Sequence, residues 1–128
     1  MKVKKIQTDK APGAIGPYSQ AIDVNGLVFL SGQIPLDPST GRLVEGGIVE
    51  QTTQVMRNIG EILEAGGMTY ADVVRAEVYL ADIADFAEVN EIYAQYFNAE
   101  PRPARHAVQV AGLPLNALIE ITCTALNP

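Results

Sequence analysis

The chain has 128 residues, 48% hydrophobic and 19% charged, enough for one core and too few to suggest a second domain. Nine Lys and Arg against fifteen Asp and Glu leave a formal charge of −6, a field that repels phosphate backbones and speaks against a nucleic-acid partner. A single cysteine, Cys123, and a single histidine, His106, exclude an internal disulfide framework, the usual zinc ligand set and a histidine cluster within one chain.

The basic cluster Lys2, Lys4 and Lys5 is followed by polar residues rather than by the apolar core of a secretion signal. No stretch approaches the ~18–20 apolar residues of a membrane span, and a lone cysteine fits a reducing compartment such as the cytoplasm. Tyr18 to Asp23 and Leu27 to Gly32 then read as strands around Asn25-Gly26, a dipeptide whose tolerance of positive φ suits a tight hairpin. Two prolines and Gly41 make Pro35 to Gly41 a loop.

From Ile48 onward Val55, Ile59, Ile62 and Leu63 recur at helical spacing, and Gly66-Gly67 supplies the stop. Val74, Ala76, Val78 and Leu80 alternate with Arg75, Glu77 and Tyr79 as in a strand with one apolar face. Asp82 or Asp85 caps a second helix whose buried stripe is Phe86, Val89, Tyr93, Tyr96 and Phe97, with Pro101 and Pro103 ending it.

The last third reads as a second hairpin, Arg105 to Ala111 with Leu118 to Leu126. Its alternation sends His106, Val108, Val110, Ile119, Ile121 and Cys123 toward the helices, which predicts a buried, neutral His106. Arg105, Ala107, Gln109, Glu120, Thr122 and Thr124 take the other face. If Ala111 pairs near Leu118, Glu120 falls opposite Gln109, roughly 13 Å along the strand from Arg105, so a site using both needs groups from a neighbouring chain. The order β-β-α-β-α-β-β predicts an α+β fold in one domain, residues 1–128, with a mixed sheet covered by two helices on one face.

No G-x-S-x-G elbow accompanies Ser19, Ser31 or Ser39, and no G-x-G-x-x-G or phosphate-loop pattern occurs. Chemistry falls to carboxylates, Arg, Tyr, hydroxyls and backbone groups, with no metal and no cofactor implied. The polar sheet face, with Arg75, Glu77, Tyr79, Gln109 and Glu120, either meets water or lines a subunit interface beside Leu27 and Phe29.

Four blocks carry a resemblance over nearly the whole chain: Gly16-Pro17-Tyr18-Ser19-Gln20-Ala21, Leu30-Ser31-Gly32-Gln33-Ile34-Pro35, Asn90-Glu91-Ile92-Tyr93-Ala94, and Pro103-Ala104-Arg105 through Leu113-Pro114 to Ile119-Glu120-Ile121. In this order and spacing they resemble the Rid (YjgF-like) family. The resemblance implies a chorismate-mutase-like fold, a homotrimer with sheets inward and three clefts between subunits. It also implies hydrolysis of 2-imino acids such as 2-iminopropanoate and 2-iminobutanoate to 2-keto acids and ammonia.

By the same resemblance Arg105 binds the substrate carboxylate, and Glu120 with the main-chain carbonyl of Ala107 orients the attacking water. Tyr18, Ser31, Gly32 and Asn90 line the substrate site. The residue types suit those tasks, since a planar guanidinium makes two parallel bonds to a carboxylate where an ammonium cannot. Each also has a plainer reading: Arg105 or Glu120 in a structural ion pair, Tyr18 as packing, Asn90 at the surface. The family's archetype carries Cys at the position of Ala107 and a small residue at that of His106; a role played by the Ala107 backbone oxygen survives the first change. A non-catalytic trimer binding 2-keto acids or similar small carboxylates would use the same Arg105, and is the alternative function.

Overall fold

Asn25 and Gly26 both sit at positive φ, 52° and 92°, as a type I′ turn requires. The turn joins β2 (Ala21–Val24) to β3 (Leu27–Leu30) with Val24 opposite Leu27, in a computed structural model that describes residues 2–128. Tyr18 lies before this hairpin in irregular chain rather than in the strand. A strand absent from the sequence reading, β1 (Val3–Ile6), pairs antiparallel with β2 at the sheet edge. Its lysines hide it from a hydrophobic pattern, yet charge is what an edge strand carries to discourage further pairing.

α1 (Ile48–Ala65) follows the predicted stripe: Val55, Met56, Ile59, Ile62 and Leu63 are fully buried. Burying each contributes roughly 1.5–3 kcal/mol, which supplies the helix with its stability. The Glu50 carboxylate accepts from the Gly47 N–H at 2.8 Å at the first turn. At the other end the Gly67 N–H donates to the Glu64 carbonyl and the Met68 N–H to that of Leu63, satisfying the last carbonyls.

β4 (Val73–Leu80) carries an irregularity that the alternation does not announce. The register slips between Val73 and Arg75, so Val73 is buried and Val74 faces out, the reverse of the expectation for Val74. The Asp82 carboxylate accepts from the Ala84 N–H at the start of the following turn, and α2 (Phe86–Tyr96) buries Val89, Ile92 and Tyr93. It ends before Pro101 and Pro103 are reached, where Phe97 turns aside to pack on Tyr93 with ring centroids 4.6 Å apart.

β5 (Ala104–Gln109) and β6 (Ile119–Leu126) complete a six-stranded sheet of order β1-β2-β3-β6-β4-β5. Every pairing is antiparallel except β4 with β5. The fold is the expected α+β arrangement with both helices packed on one face of a mixed sheet.

The terminal hairpin is corrected: β5 and β6 never pair, because β4 lies between them. The physical reason is the α2 crossover, which delivers β5 parallel to β4 on its outer side and leaves the inner side for β6. Alternation says which face a residue takes within its own strand and nothing about which strand lies beside it.

Candidate functional site

β3 and β6 pair regularly from Leu27 with Leu126 to Phe29 with Thr124, but Gln33 then pairs with Ile121, one residue beyond the position an unbroken ladder would give. The extra residue falls in Leu30 to Gly32, a β-bulge that tips this segment toward β6. Gly32 reaches Glu120 so closely that a Cβ there would stand 2.6 Å from Glu120 Oε2. The Ser31 hydroxyl donates to the Ser19 carbonyl at 2.6 Å, fastening the stretch that bears Tyr18 to the bulge. Tyr18, Gly32 and Glu120, with Gln33, Ile34 and Pro114, line a cavity of about 150 Å³.

Glu120 is half-buried on the open face of the sheet, across from Tyr79 of β4. Among the described residues it makes no salt bridge, and burial pushes its carboxyl above the ordinary carboxylate range. Such a group is a better proton acceptor than a surface glutamate.

Arg105 occupies the other edge of the molecule. β5 takes its register from β4, with Arg105 beside Ala76 and Ala107 beside Val78, both of which point to the helices. Arg105 and Ala107 therefore lie on the helix side, correcting the expectation that they share the open face with Glu120. The Arg105 guanidinium stands over the rings of Phe86 and Tyr93, 5.1 and 4.8 Å from their centroids, and Nη1 donates to Asn90 Oδ1 at 2.6 Å. No carboxylate among the described residues lies within ion-pair distance of it.

The Ala107 carbonyl can be placed by the same register. The Val110 N–H donates to the Leu80 carbonyl, so residues of that parity turn their backbone groups toward β4. Those of the opposite parity, Arg105, Ala107 and Gln109, direct theirs outward from the free edge.

His106 and Val108 consequently face the open side and are exposed; the buried histidine expected from the terminal alternation is not found. His106 Nδ1 lies 3.0 Å from Arg75 Nη2 and accepts from it, since a guanidinium only donates, which leaves the ring proton on Nε2. Arg75 Nε also meets Glu77 Oε1 at 3.1 Å, and the Tyr79 hydroxyl donates to Glu77 Oε2 at 2.8 Å. Hydrogen bonds from Tyr79 and Arg75 hold the Glu77 carboxyl below its usual range. This network consumes the polar groups at the centre of the open face and leaves Glu120 outside it.

The sites of Arg105 and Glu120 are separate within one chain. Arg105 is level with Ala76 and Glu120 with Tyr79, two strands and three residues apart, or about 14 Å, and on opposite faces. The expected opposition of Glu120 to Gln109 is corrected with the hairpin that implied it. The cavity beside Glu120 is not lined by Arg105.

A model of the family described as Endoribonuclease L-PSP, the YjgF/Rid family, matches residues 8–127. The chain belongs to the Rid family. It is 57% identical over 98% of its length to the chloroplastic Reactive Intermediate Deaminase A of Arabidopsis thaliana, of which it spans 66%. The 2-iminobutanoate/2-iminopropanoate deaminase of Homo sapiens is 54% identical over 95% of this chain and 88% of that protein. A solved Rid-family protein of unknown function from Yersinia pestis superposes with a TM-score of 0.95 at 46% identity, covering 98% and 99% of the two chains.

In the Rid chain the candidate residues have neighbours that the sequence pattern does not announce. The helical spacing places Phe86 and Tyr93 in a core stripe, but both rings also meet Arg105. Gln20, only 4% exposed, binds Thr8 through both its amide oxygen and nitrogen and reaches the Pro12 carbonyl at 2.8 Å, holding the segment before Tyr18 in place. The signal for Gln20 was its polar type in an otherwise buried strand entrance. For Phe86 and Tyr93 it was their spacing with Asn90 on one helix face.

Proposed function

We propose that this chain hydrolyses reactive 2-imino acids, 2-iminobutanoate and 2-iminopropanoate among them, to 2-keto acids and ammonia. The observation that carries the reading is Arg105: a guanidinium oriented by an amide and two rings, with its charge not cancelled by a carboxylate. Such a group is ready for bidentate binding of a small carboxylate. The names of the human and Arabidopsis relatives support the same substrate class.

The working site is shared between copies of the chain in a homotrimer, Arg105 and the Ala107 carbonyl from one and the Glu120 cavity from the next. Three features support this. The two halves are too far apart within a chain, the β5 edge presents unpaired backbone groups, and Leu27, Phe29 and Leu126 leave apolar area exposed on the open face. In that site Arg105 grips the carboxylate, and Tyr18 and the Ser31-Gly32 bulge close the pocket.

Glu120 and the Ala107 carbonyl orient a water whose oxygen attacks the imine carbon. The water gives one proton to Glu120 and the carbon–nitrogen π electrons pass to nitrogen, forming a carbinolamine. Glu120 returns that proton to the nitrogen and takes the hydroxyl proton as the carbon–nitrogen bond breaks, its electron pair leaving on ammonia and the oxygen becoming the carbonyl; the proton left on Glu120 then passes to solvent. An iminium carbon is already electrophilic, so positioning and one oriented water suffice. The ribonuclease in the family description finds no support in a chain of charge −6 with one histidine tied to Arg75. Burial pushes the Cys123 thiol up to about 12, so it stays protonated; the compartment reading, a reducing one such as the cytoplasm, rests on Cys123 being the only cysteine.

The direct test adds the protein to a pyridoxal-phosphate dehydratase acting on threonine or serine and follows decay of the released imine. Faster decay is expected, and an unchanged rate would overturn the proposal. Glu120→Gln separates the enzyme from a carboxylate-binding module: loss of turnover with retained 2-keto acid binding favours the enzyme.

A further inference from the structure

Phe86, Asn90 and Tyr93 occur at spacings of four and three residues on α2, so their side chains rise from one helix face. All three meet the Arg105 guanidinium: its Cζ stands over the rings of Phe86 and Tyr93, and Asn90 accepts from Nη1. None of the three carries a charge. The Tyr93 hydroxyl is buried and has no hydrogen-bond partner among the described residues, so only its ring is engaged.

We propose that this α2 stripe is a neutral cradle that positions Arg105, and that its neutrality is the determinant of specificity for carboxylate substrates. A guanidinium over an aromatic face is attracted by the ring quadrupole, and an amide oxygen fixes its rotation about the long axis. Neither contact supplies the countercharge that an aspartate would. The positive charge is thus held in place without being neutralised, and its remaining donors are left for the ligand. Burial pushes the Tyr93 phenol up to about 12, so it remains uncharged beside the arginine at working pH. Asn90 thereby becomes a positioning residue that acts through Arg105, in place of the direct substrate contact implied by the family resemblance.

The inference rests on the proposed carboxylate-binding role of Arg105, and its test separates the two. Binding of 2-oxobutanoate, a product-class ligand needing no turnover, is measured by calorimetry beside imine-hydrolysis kinetics for wild type, Asn90→Asp, Tyr93→Leu and Tyr93→Phe. Asn90→Asp keeps shape but adds a competing anion, so ligand affinity should fall roughly tenfold or more, with KM rising more than kcat falls. Tyr93→Leu should weaken binding by about three- to tenfold, and Tyr93→Phe, which keeps the ring, should restore it.

Wild-type affinity in folded Asn90→Asp overturns the inference and leaves the hydrolase reading standing. Equal losses in Tyr93→Leu and Tyr93→Phe also overturn it, since the hydroxyl rather than the ring would then matter. If wild type binds 2-oxobutanoate with the predicted variant pattern yet leaves imine decay unchanged, the hydrolase reading fails and the cradle stands.

Discussion

Replacing Arg105 by lysine keeps the charge and removes the geometry. The arginine holds Asn90 through a charge-assisted bond at 2.6 Å and stands over two rings with Cζ at 5.1 and 4.8 Å from their centroids, a set of contacts that a rotating ammonium does not reproduce in one pose. Those contacts fix the head group; the term lost to the substrate is the second arm of the fork, a charge-assisted hydrogen bond of about 1.5–3 kcal/mol. At about 1.4 kcal/mol per decade, kcat/KM for 2-iminobutanoate should fall roughly 10- to 10²-fold, toward the upper end as the displaced charge also misplaces the substrate. Because Arg105 is exposed on an edge strand, unfolding free energy should change by less than about 1 kcal/mol. The assay is the dehydratase-coupled measurement of imine decay with a thermal melt alongside. A folded Arg105→Lys protein with kcat/KM within twofold of wild type would refute carboxylate recognition by this fork.

The small residual rate of Glu120→Gln should show no acid limb in its pH–rate profile. In the wild type that limb should lie above the usual carboxylate range, because burial raises the pKa and activity needs the ionised form, which appears only as pH rises through it. The same shift makes ionisation in the fold unfavourable, so Glu120→Gln should be at least as stable as wild type at neutral pH in a denaturant melt and lose that advantage as acid protonates the wild-type carboxyl. Gly32→Ala places a Cβ 2.6 Å from Glu120 Oε2, and the flexible carboxylate should swing away; kcat should fall at least tenfold while the melting temperature moves little. Ser31→Ala cuts the tie to the Ser19 carbonyl, so KM should rise as the Tyr18 segment loosens, at a stability cost of about 1 kcal/mol read by urea unfolding.

Helix α1 and the β2–β3 hairpin were legible because each is a local matter: a 3.6-residue stripe ended by Gly66-Gly67, and Asn25-Gly26 in a turn that needs two positive φ angles. What could not be read was long-range. The β6 strand enters between β3 and β4, and no property of Arg105 to Ala111 says that its neighbour is β4 rather than β6. That pairing fixes which face β5 presents, so His106 and Arg105 exchanged sides relative to expectation. The slip at Val73 to Arg75 reversed Val74 for a related reason, since one extra residue in a strand flips its parity without altering composition.

The identities of the site residues came from motifs, and their grouping into two distant halves came only from the strand order. The expectation that one chain cannot join Arg105 to Glu120 rested on a wrong register. The correct one leaves them about as far apart, roughly 14 Å, and adds that they lie on opposite faces of the sheet.

A shared site is tested most directly by complementation between two inactive chains. Arg105→Ala and Glu120→Gln are co-expressed with different tags, and mixed oligomers are assayed for imine hydrolysis against each variant alone. In a closed trimeric ring containing both chains one interface in three pairs an intact Arg105 with an intact Glu120, so activity should return to about a third of wild type. Mixed oligomers no more active than the separate variants would contradict a site built across two chains.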